Sequence, residues 1–293
     1  MKGLNMKIGF VGAGRITSAL VRGLVSGGFL EPGDVMVNGR RRSEKLREVV
    51  DRWGVRSTMS KATVFRFADV VIMAVKPQDM GIALEQCAPH VKRRHVIISL
   101  AAAIPTTYIA GKLGPDVRIV RAMTNTSCVV RESATAICLG AGTDDTARDV
   151  ACSVFSSVGK VWEVDEAYFD AVTGLSGSGP AFIYYIVDAM QAAGSAAGLP
   201  PDVSRQLAIQ TLLGAGRMMA ETGQEPGHLV DQVASPRGTT LEGLRVLRSF
   251  DVAATFQAAI HAAAKRSAEI EQEVCGSARS VTRGSAQAGT AGR

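Results

Sequence analysis

The segment GFVGAGRIT sets Gly12 and Gly14 two residues apart with Thr17 three further on, directly after an apolar run and ahead of a helical one. This is the spacing of a GxGxxG dinucleotide loop with threonine in the third glycine's place. Gly12 permits the tight turn, Gly14 lets the backbone approach a pyrophosphate, and the helix start offers oriented N–H donors with partial positive charge. The threonine is expected to loosen helix-to-strand packing at most. Where an NAD site places an acidic residue for the ribose 2′-hydroxyl stand Val37, Asn38, Gly39, Arg40, Arg41, Arg42 and Ser43. With no carboxylate there, the segment from Asn38 through Arg40 and Arg41 predicts a 2′-phosphate. A charge-assisted arginine–phosphate bond worth about 1.5 to 3 kcal/mol gives a tenfold or larger preference for NADPH, with NADH the alternative donor. The plainer reading is a solvated basic turn, although basic residues in a helix's first turn oppose its dipole.

Other reactive side chains point to less. Lys76 precedes Pro77 at a strand end, where an exposed side chain and a backbone contact to cofactor are favoured over catalysis. His90, His95, His228 and His261 have no paired acid or metal spacing and read as surface or capping residues. Asp165, Glu166 and Asp170 read as helix-start residues. Cys87, Cys128, Cys138, Cys152 and Cys275 show neither CxxC spacing nor clustered histidines, so no disulfide framework and no metal site is expected, and reduced thiols in a cytosol fit best.

The elements that must position these residues fall into two patterns. Residues 6 to about 140 alternate short β-branched runs (KIGFVG, DVMVNG, VVIMAV, HVIISLAAA, VRIVRAMTN) with helical stretches, the rhythm of a parallel sheet with crossover helices. From about residue 165 the chain turns to long Ala-, Leu- and Met-rich segments with apolar residues three and four apart, at 181–197, 202–221, 239–248 and 252–274. The expected architecture is an α/β Rossmann-type domain over 1–165 followed by an all-α domain over 166–275. The Gly/Ser/Ala-rich stretch 276–293 reads as a disordered tail. The helices carry too much apolar surface to cover themselves, which predicts a homodimer or higher homo-oligomer; a self-contained bundle is the alternative.

Bulk properties agree with an enzyme of this size. The 293 residues are 46% hydrophobic and 20% charged, enough for two packed domains and too apolar for disorder. Three arginines of the tail, Arg279, Arg283 and Arg293, supply half of the net +6, so nucleic acid is not an expected partner. No apolar run reaches the roughly 20 residues of a membrane span. The start reads as a first strand and not as a secretory leader, which predicts a cytoplasmic location.

Beyond the glycine loop, IGFVGAG, AVKPQ at 74–78, ISLAAAI at 98–104, RAMTNTSCVVRESAT at 121–135, SSVGKVWEVDE at 156–166, AVTGLSGSGPAF at 171–182 and SPRGTT at 235–240 resemble, in order and spacing, the pyrroline-5-carboxylate reductases. The resemblance covers residues 6 to about 274. It implies NADPH-dependent reduction of 1-pyrroline-5-carboxylate to L-proline, with the all-α half as a dimerisation domain and an active site shared between one subunit's sheet domain and helical segments around the dimer interface. Carried over, it places Val11, Gly12, Ala13, Gly14, Arg15, Ile16, Ala74, Val75, Lys76 and Pro77 along NADPH, and Ala101 and Asn125 beside the nicotinamide. Ser235 and the backbone N–H groups of Gly238 and Thr239 would take the substrate carboxylate at a helix start, and Thr240, the one residue implied to be catalytic, would hydrogen-bond the ring nitrogen.

Three residues depart from the family pattern: Lys61 for asparagine near the adenine, MTNTS for MPNTP, and Arg237 for glycine. Arginine is strained if that position needs positive φ, and otherwise adds a cation near the carboxylate or the oligomer surface. A β-hydroxyacid dehydrogenase would need a lysine at the end of GxGxxxK, and Ile183 stands there. Reduction of a related cyclic imine, or a non-catalytic NADP-binding regulator, remain as alternatives.

Overall fold

The computed structural model describes residues 6–39 and 44–276. Eight strands form one sheet: β1 (Ile8–Val11), β2 (Val35–Asn38), β3 (Arg56–Thr58), β4 (Val70–Met73), β5 (Val96–Ser99), β6 (Arg118–Met123), β7 (Ser133–Leu139) and β8 (Gly159–Glu163). Among the described residues the α-helices are α1 (Arg15–Ser26), α2 (Glu44–Trp53), α3 (Lys61–Phe67), α4 (Pro77–Cys87), α5 (Thr106–Leu113), α6 (Asp145–Ser156), α7 (Phe169–Val172), α8 (Gly179–Ala196), α9 (Pro201–Thr222), α10 (Pro226–Val233), α11 (Thr239–Ser249) and α12 (Val252–Glu271).

The spatial order is β3-β2-β1-β4-β5-β6-β7-β8. The first six strands are parallel, with β1 flanked by β2 and β4, so the order reverses beside the glycine loop, where open α/β sheets bind ligands. The all-parallel expectation fails at one edge: β7 runs antiparallel to β6, and β8 follows it in parallel.

Alternation along the strands feeds two cores. Ile8, Phe10, Val70, Ile72, Val96 and Ile98 face one side, where α1, α2 and α6 cover them. Val11, Val71, Met73 and Ile97 face the other, under α3, α4 and α5. Burial on both faces explains why these strands read as unbroken apolar runs. His95 sits inside this body at 1% exposure, contrary to the surface or capping role expected of it. Its Nδ1 accepts from the Lys92 N–H, its Nε2 lies 2.9 Å from the Phe65 carbonyl, and burial, then the Arg94 charge, holds its pKa below the usual histidine value.

The chain divides into two compact units, one running to Ser178 and resuming at Ala262, the other Gly179–His261. The first division thus falls later than the change of pattern at 165/166, because the intervening residues pack on the sheet: Phe169 is buried with Met123 and Cys138. Glu166 also belongs there. It accepts from the Thr106 N–H and hydroxyl and pairs at 3.0 Å with Arg121, whose guanidinium lies over the Phe169 ring, so it braces the sheet instead of merely opening a helix. The other unit carries α8 to α11 and the start of α12. Its α10 is a short helix that the apolar spacing did not predict, and Ser204 of α9 donates to the Gln191 carbonyl of α8 at 2.7 Å. The expected tail lies outside the described residues from 277 onward.

Candidate active site

The residues expected to hold the dinucleotide gather, where they are described, at the C-terminal ends of parallel strands. Val11 ends β1; Gly12, Ala13 and Gly14 make the turn; Arg15 and Ile16 open α1. Asn38 ends β2, Ala74 and Val75 follow β4, and Ala101 and Asn125 follow β5 and β6. Arg40 and Arg41 lie outside the described residues.

The turn is built for glycine. Gly12 has φ of 115°, and a Cβ there would stand 2.6 Å from the Ala74 carbonyl oxygen, so any side chain would meet both backbone strain and the neighbouring strand end. Its N–H donates to the Asn38 carbonyl at 3.0 Å, and the Ala74 N–H donates to the Val11 carbonyl at 2.9 Å, which fastens three strand ends together. Gly14 caps α1 with extended backbone, no side-chain cap bond and no acidic residue in the first turn. The first-turn N–H groups are therefore free of an internal anion, and the residues fit a bound pyrophosphate.

Thr17 has a larger role than its expected slack in packing. It is fully buried, and its hydroxyl donates to the Gly12 carbonyl at 2.9 Å, so the third position of the fingerprint pins the first. Asn38 is likewise committed, its amide donating to the Thr58 carbonyl at 3.1 Å. Lys76 is exposed and caps α4 with Pro77 at its first position. Lys61 donates to Gln86 at 2.8 Å on the surface.

On the nicotinamide side of the expected site, Ala101 is buried, and Ala103, two residues on, takes a left-handed conformation at φ 64°. The Asn125 side chain is committed within the sheet unit: Oδ1 accepts from the Ser127 N–H and Nδ2 donates to the distant Ser176 carbonyl at 3.0 Å. Ser176 belongs to a π-helical turn, Thr173–Gly177, which holds most of the LSGSG motif; such turns often mark functional places. The sequence singled out LSGSGP as a signature without assigning it this geometry. Nearby thiols are not nucleophiles at neutral pH, since burial pushes Cys138 up to about 12.

The expected substrate turn lies in the second unit. Ser235, Pro236, Arg237 and Gly238 form a β-turn closed by the Gly238 N–H on the Ser235 carbonyl at 2.9 Å. Arg237, at its third position, has φ of 60°, so this position does require positive φ and the arginine carries the strain. A Cβ on Gly238 would stand 2.5 Å from Ser235 Oγ, so the serine hydroxyl lies against the helix cap. Gly238 caps α11 without a side-chain bond, leaving the N–H groups of Thr239 and Thr240 at an open helix start. Thr240 also lines an apolar cavity of about 380 Å³ with Met218, Met219, Leu229, Val230 and Leu244.

Comparison with known proteins follows the same division. Residues 166–270 match the family model described as pyrroline-5-carboxylate reductase dimerisation, and residues 7–103 the model described as NADP oxidoreductase, coenzyme F420-dependent. The chain is 38% identical to a pyrroline-5-carboxylate reductase of Arabidopsis thaliana, over 92% of this chain and 96% of that one. A solved pyrroline-5-carboxylate reductase from Coxiella burnetii is 35% identical with a TM-score of 0.82, covering 91% of this chain and 99% of that chain. The Plasmodium falciparum pyrroline carboxylate reductase solved with NADP bound is 27% identical with a TM-score of 0.83, covering 91% of this chain and 98% of that chain. A glycine-built dinucleotide turn, an open helix start within SPRGTT and relatives that align nearly end to end lead to one assignment: the chain belongs to the pyrroline-5-carboxylate reductase family.

Proposed function

We propose that the chain reduces 1-pyrroline-5-carboxylate to L-proline with NADPH, the last step of proline biosynthesis. The observation that carries this reading is the identity with pyrroline-5-carboxylate reductases across nearly the whole of both chains. Bound NADPH supplies a hydride. The glycine turn and the first turn of α1 would hold its pyrophosphate, Asn38 and the charges that the sequence supplies at Arg40 and Arg41 would serve the 2′-phosphate, the run Ala74 to Pro77 would line the dinucleotide, and Ala101 and Asn125 would shape the nicotinamide end.

The imine needs little acid catalysis, because protonation at nitrogen already makes its carbon electrophilic. Ser235 and the Thr239 N–H grip the carboxylate, where the helix start favours an anion, while the Gly238 N–H expected to join them is spent on the Ser235 carbonyl and shapes the turn instead. The Thr240 hydroxyl accepts from the protonated ring nitrogen and so orients the neighbouring carbon, while the apolar side chains beside it keep water away. Hydride addition at that carbon leaves the proton on nitrogen and gives the secondary amine. The free thiols of Cys87, Cys128, Cys138 and Cys152 suit a reducing compartment, and we place the enzyme in the cytoplasm as a homodimer or larger homo-oligomer.

The deciding experiment follows NADPH and NADH oxidation with 1-pyrroline-5-carboxylate and a panel of cyclic imines. Rapid NADPH oxidation with the 5-carboxylate is expected. Cofactor binding without oxidation of any imine would favour a non-catalytic regulator, and preference for another ring would redirect the substrate assignment. Thr240→Val should lower kcat about tenfold or more, the worth of one hydrogen bond made in the transition state, and leave the KM for NADPH unchanged.

A further inference from the structure

The arginines of the sheet unit are distributed unevenly. On the β5–β8 side most are paired: Arg93 with Asp116, Arg94 with Asp69, Arg118 with Asp144, Arg121 with Glu166, and Arg148 with Asp145 and Asp149. On α1 and α2 they are not. Arg15, Ser18 and Arg22 share one face of α1 at helical spacing, and Glu48, Arg52 and Trp53 present the facing edge of α2. Together they line a depression of about 290 Å³. No ion pair joins Arg15, Arg22 or Arg52 to any described carboxylate. Even Glu48, four residues before Arg52 and well placed to pair with it, stays apart, while the Arg52 guanidinium lies 5.6 Å from the centre of the Trp53 ring.

Three guanidinium groups against one carboxylate leave the depression with a net charge of 3 − 1 = +2. Like charges gathered in one hollow repel, and the arrangement becomes favourable when a multivalent anion fills it. The planar fork of arginine matches phosphate oxygens in pairs, and a single carboxylate could not reach three such forks at once. From this we infer a second anion site, on the outer face of α1, that takes a polyphosphate group: either inorganic pyrophosphate or the phosphate chain of a nucleotide whose base packs against Trp53. Ser18 is not one of its donors, since its hydroxyl is spent on the Gly14 carbonyl, and Glu48 works against monovalent anions by cancelling one positive charge. The site does not depend on the reaction assigned above.

The test is a calorimetric titration of the protein saturated with NADPH, which fills the dinucleotide turn, using pyrophosphate and ATP as probes. Binding of at least one probe is expected, weakened tenfold or more in Arg22→Gln/Arg52→Gln, with kcat and the KM for NADPH and imine unchanged in that variant. Arg15 is left intact because it belongs to the dinucleotide turn. Tighter binding of ATP, lost to Trp53→Ala while pyrophosphate binding persists, identifies the nucleotide as the ligand; equal affinities identify the bare polyphosphate. No binding of either probe at millimolar concentration, or binding that the double arginine variant leaves intact, overturns the proposal.

Discussion

The sheet unit and the helical unit solve the burial problem in opposite ways. The first hides its apolar residues in two cores, one on each face of the sheet, with Ile8, Phe10, Leu20, Ile72 and Ile97 fully out of water. Within Gly179–His261 only Ser204 and Ala208 are buried, while Tyr185, Leu207, Leu213, Leu247 and Phe250 are half exposed or more. At about 25 cal/mol per Å² of apolar surface, side chains of this size left in water forgo roughly 1.5 to 3 kcal/mol each. A single chain therefore specifies the fold of its sheet unit, whereas the apolar pattern of the helical unit is complete only against another surface. The dimerisation family matched by residues 166–270 makes a second copy that surface.

Breaking the contrast should be most damaging where the helices expose leucine. Leu207→Glu/Leu213→Glu should reduce the assembly to monomers by light scattering and abolish activity, while the sheet unit keeps NADPH affinity; an intact assembly would show that these leucines face solvent by choice. Within the sheet unit, Gly12→Ala adds a Cβ where φ is positive and the Ala74 carbonyl is near. A loss of about 3 kcal/mol in unfolding free energy, or a comparable loss of NADPH affinity, is expected by denaturation and fluorescence titration. Thr17→Val is a smaller wound, about 1 to 3 kcal/mol, because the Gly12 carbonyl loses a buried donor while the packing volume stays.

The smallest effect sharpens the comparison through pH. Burial pushes Cys87, Cys128 and Cys138, all in the sheet unit, up to about 12 from an ordinary value of 9.0. The folded thiols hold their protons where the unfolded ones release them. Their contribution to stability is therefore complete below pH 9 and declines as pH climbs from 9 toward 12. Urea midpoints at pH 8 and pH 10 should differ in that direction, and thiol reagents should leave these three cysteines unlabelled at pH 8 until the chain unfolds.

What could be read from residue order follows the same contrast. Strands buried on both faces announce themselves as apolar runs, and Gly12 announces a turn that only glycine allows, so the dinucleotide end of the sheet was legible. Residues that act through long-range bonds were not: Glu166 looked like a helix start until Arg121 and Thr106 closed around it, and His95, with no acid or metal spacing in the sequence to hold it, read as a surface or capping residue until the Phe65 carbonyl met its ring. The edge strand β8, GKVWE, is half exposed throughout and lacks the alternation that marks a strand, and α10 is too short for its period to stand out. Arg237 was legible as a condition, strained if the position needs positive φ, and its φ of 60° meets that condition.

The return of the chain to the sheet unit at Ala262 bears on how the molecule is made. Ser267 in the last turns of α12 is buried, and Val274 and Cys275 pack against the core beneath α3, α4 and α5. During synthesis the ribosome delivers every strand long before these residues emerge, so one wall of the first unit stays unfinished while all of α8 to α11 is still being translated. Nascent chains halted near residue 261 should consequently recruit chaperones, and release of the final stretch should end that dependence.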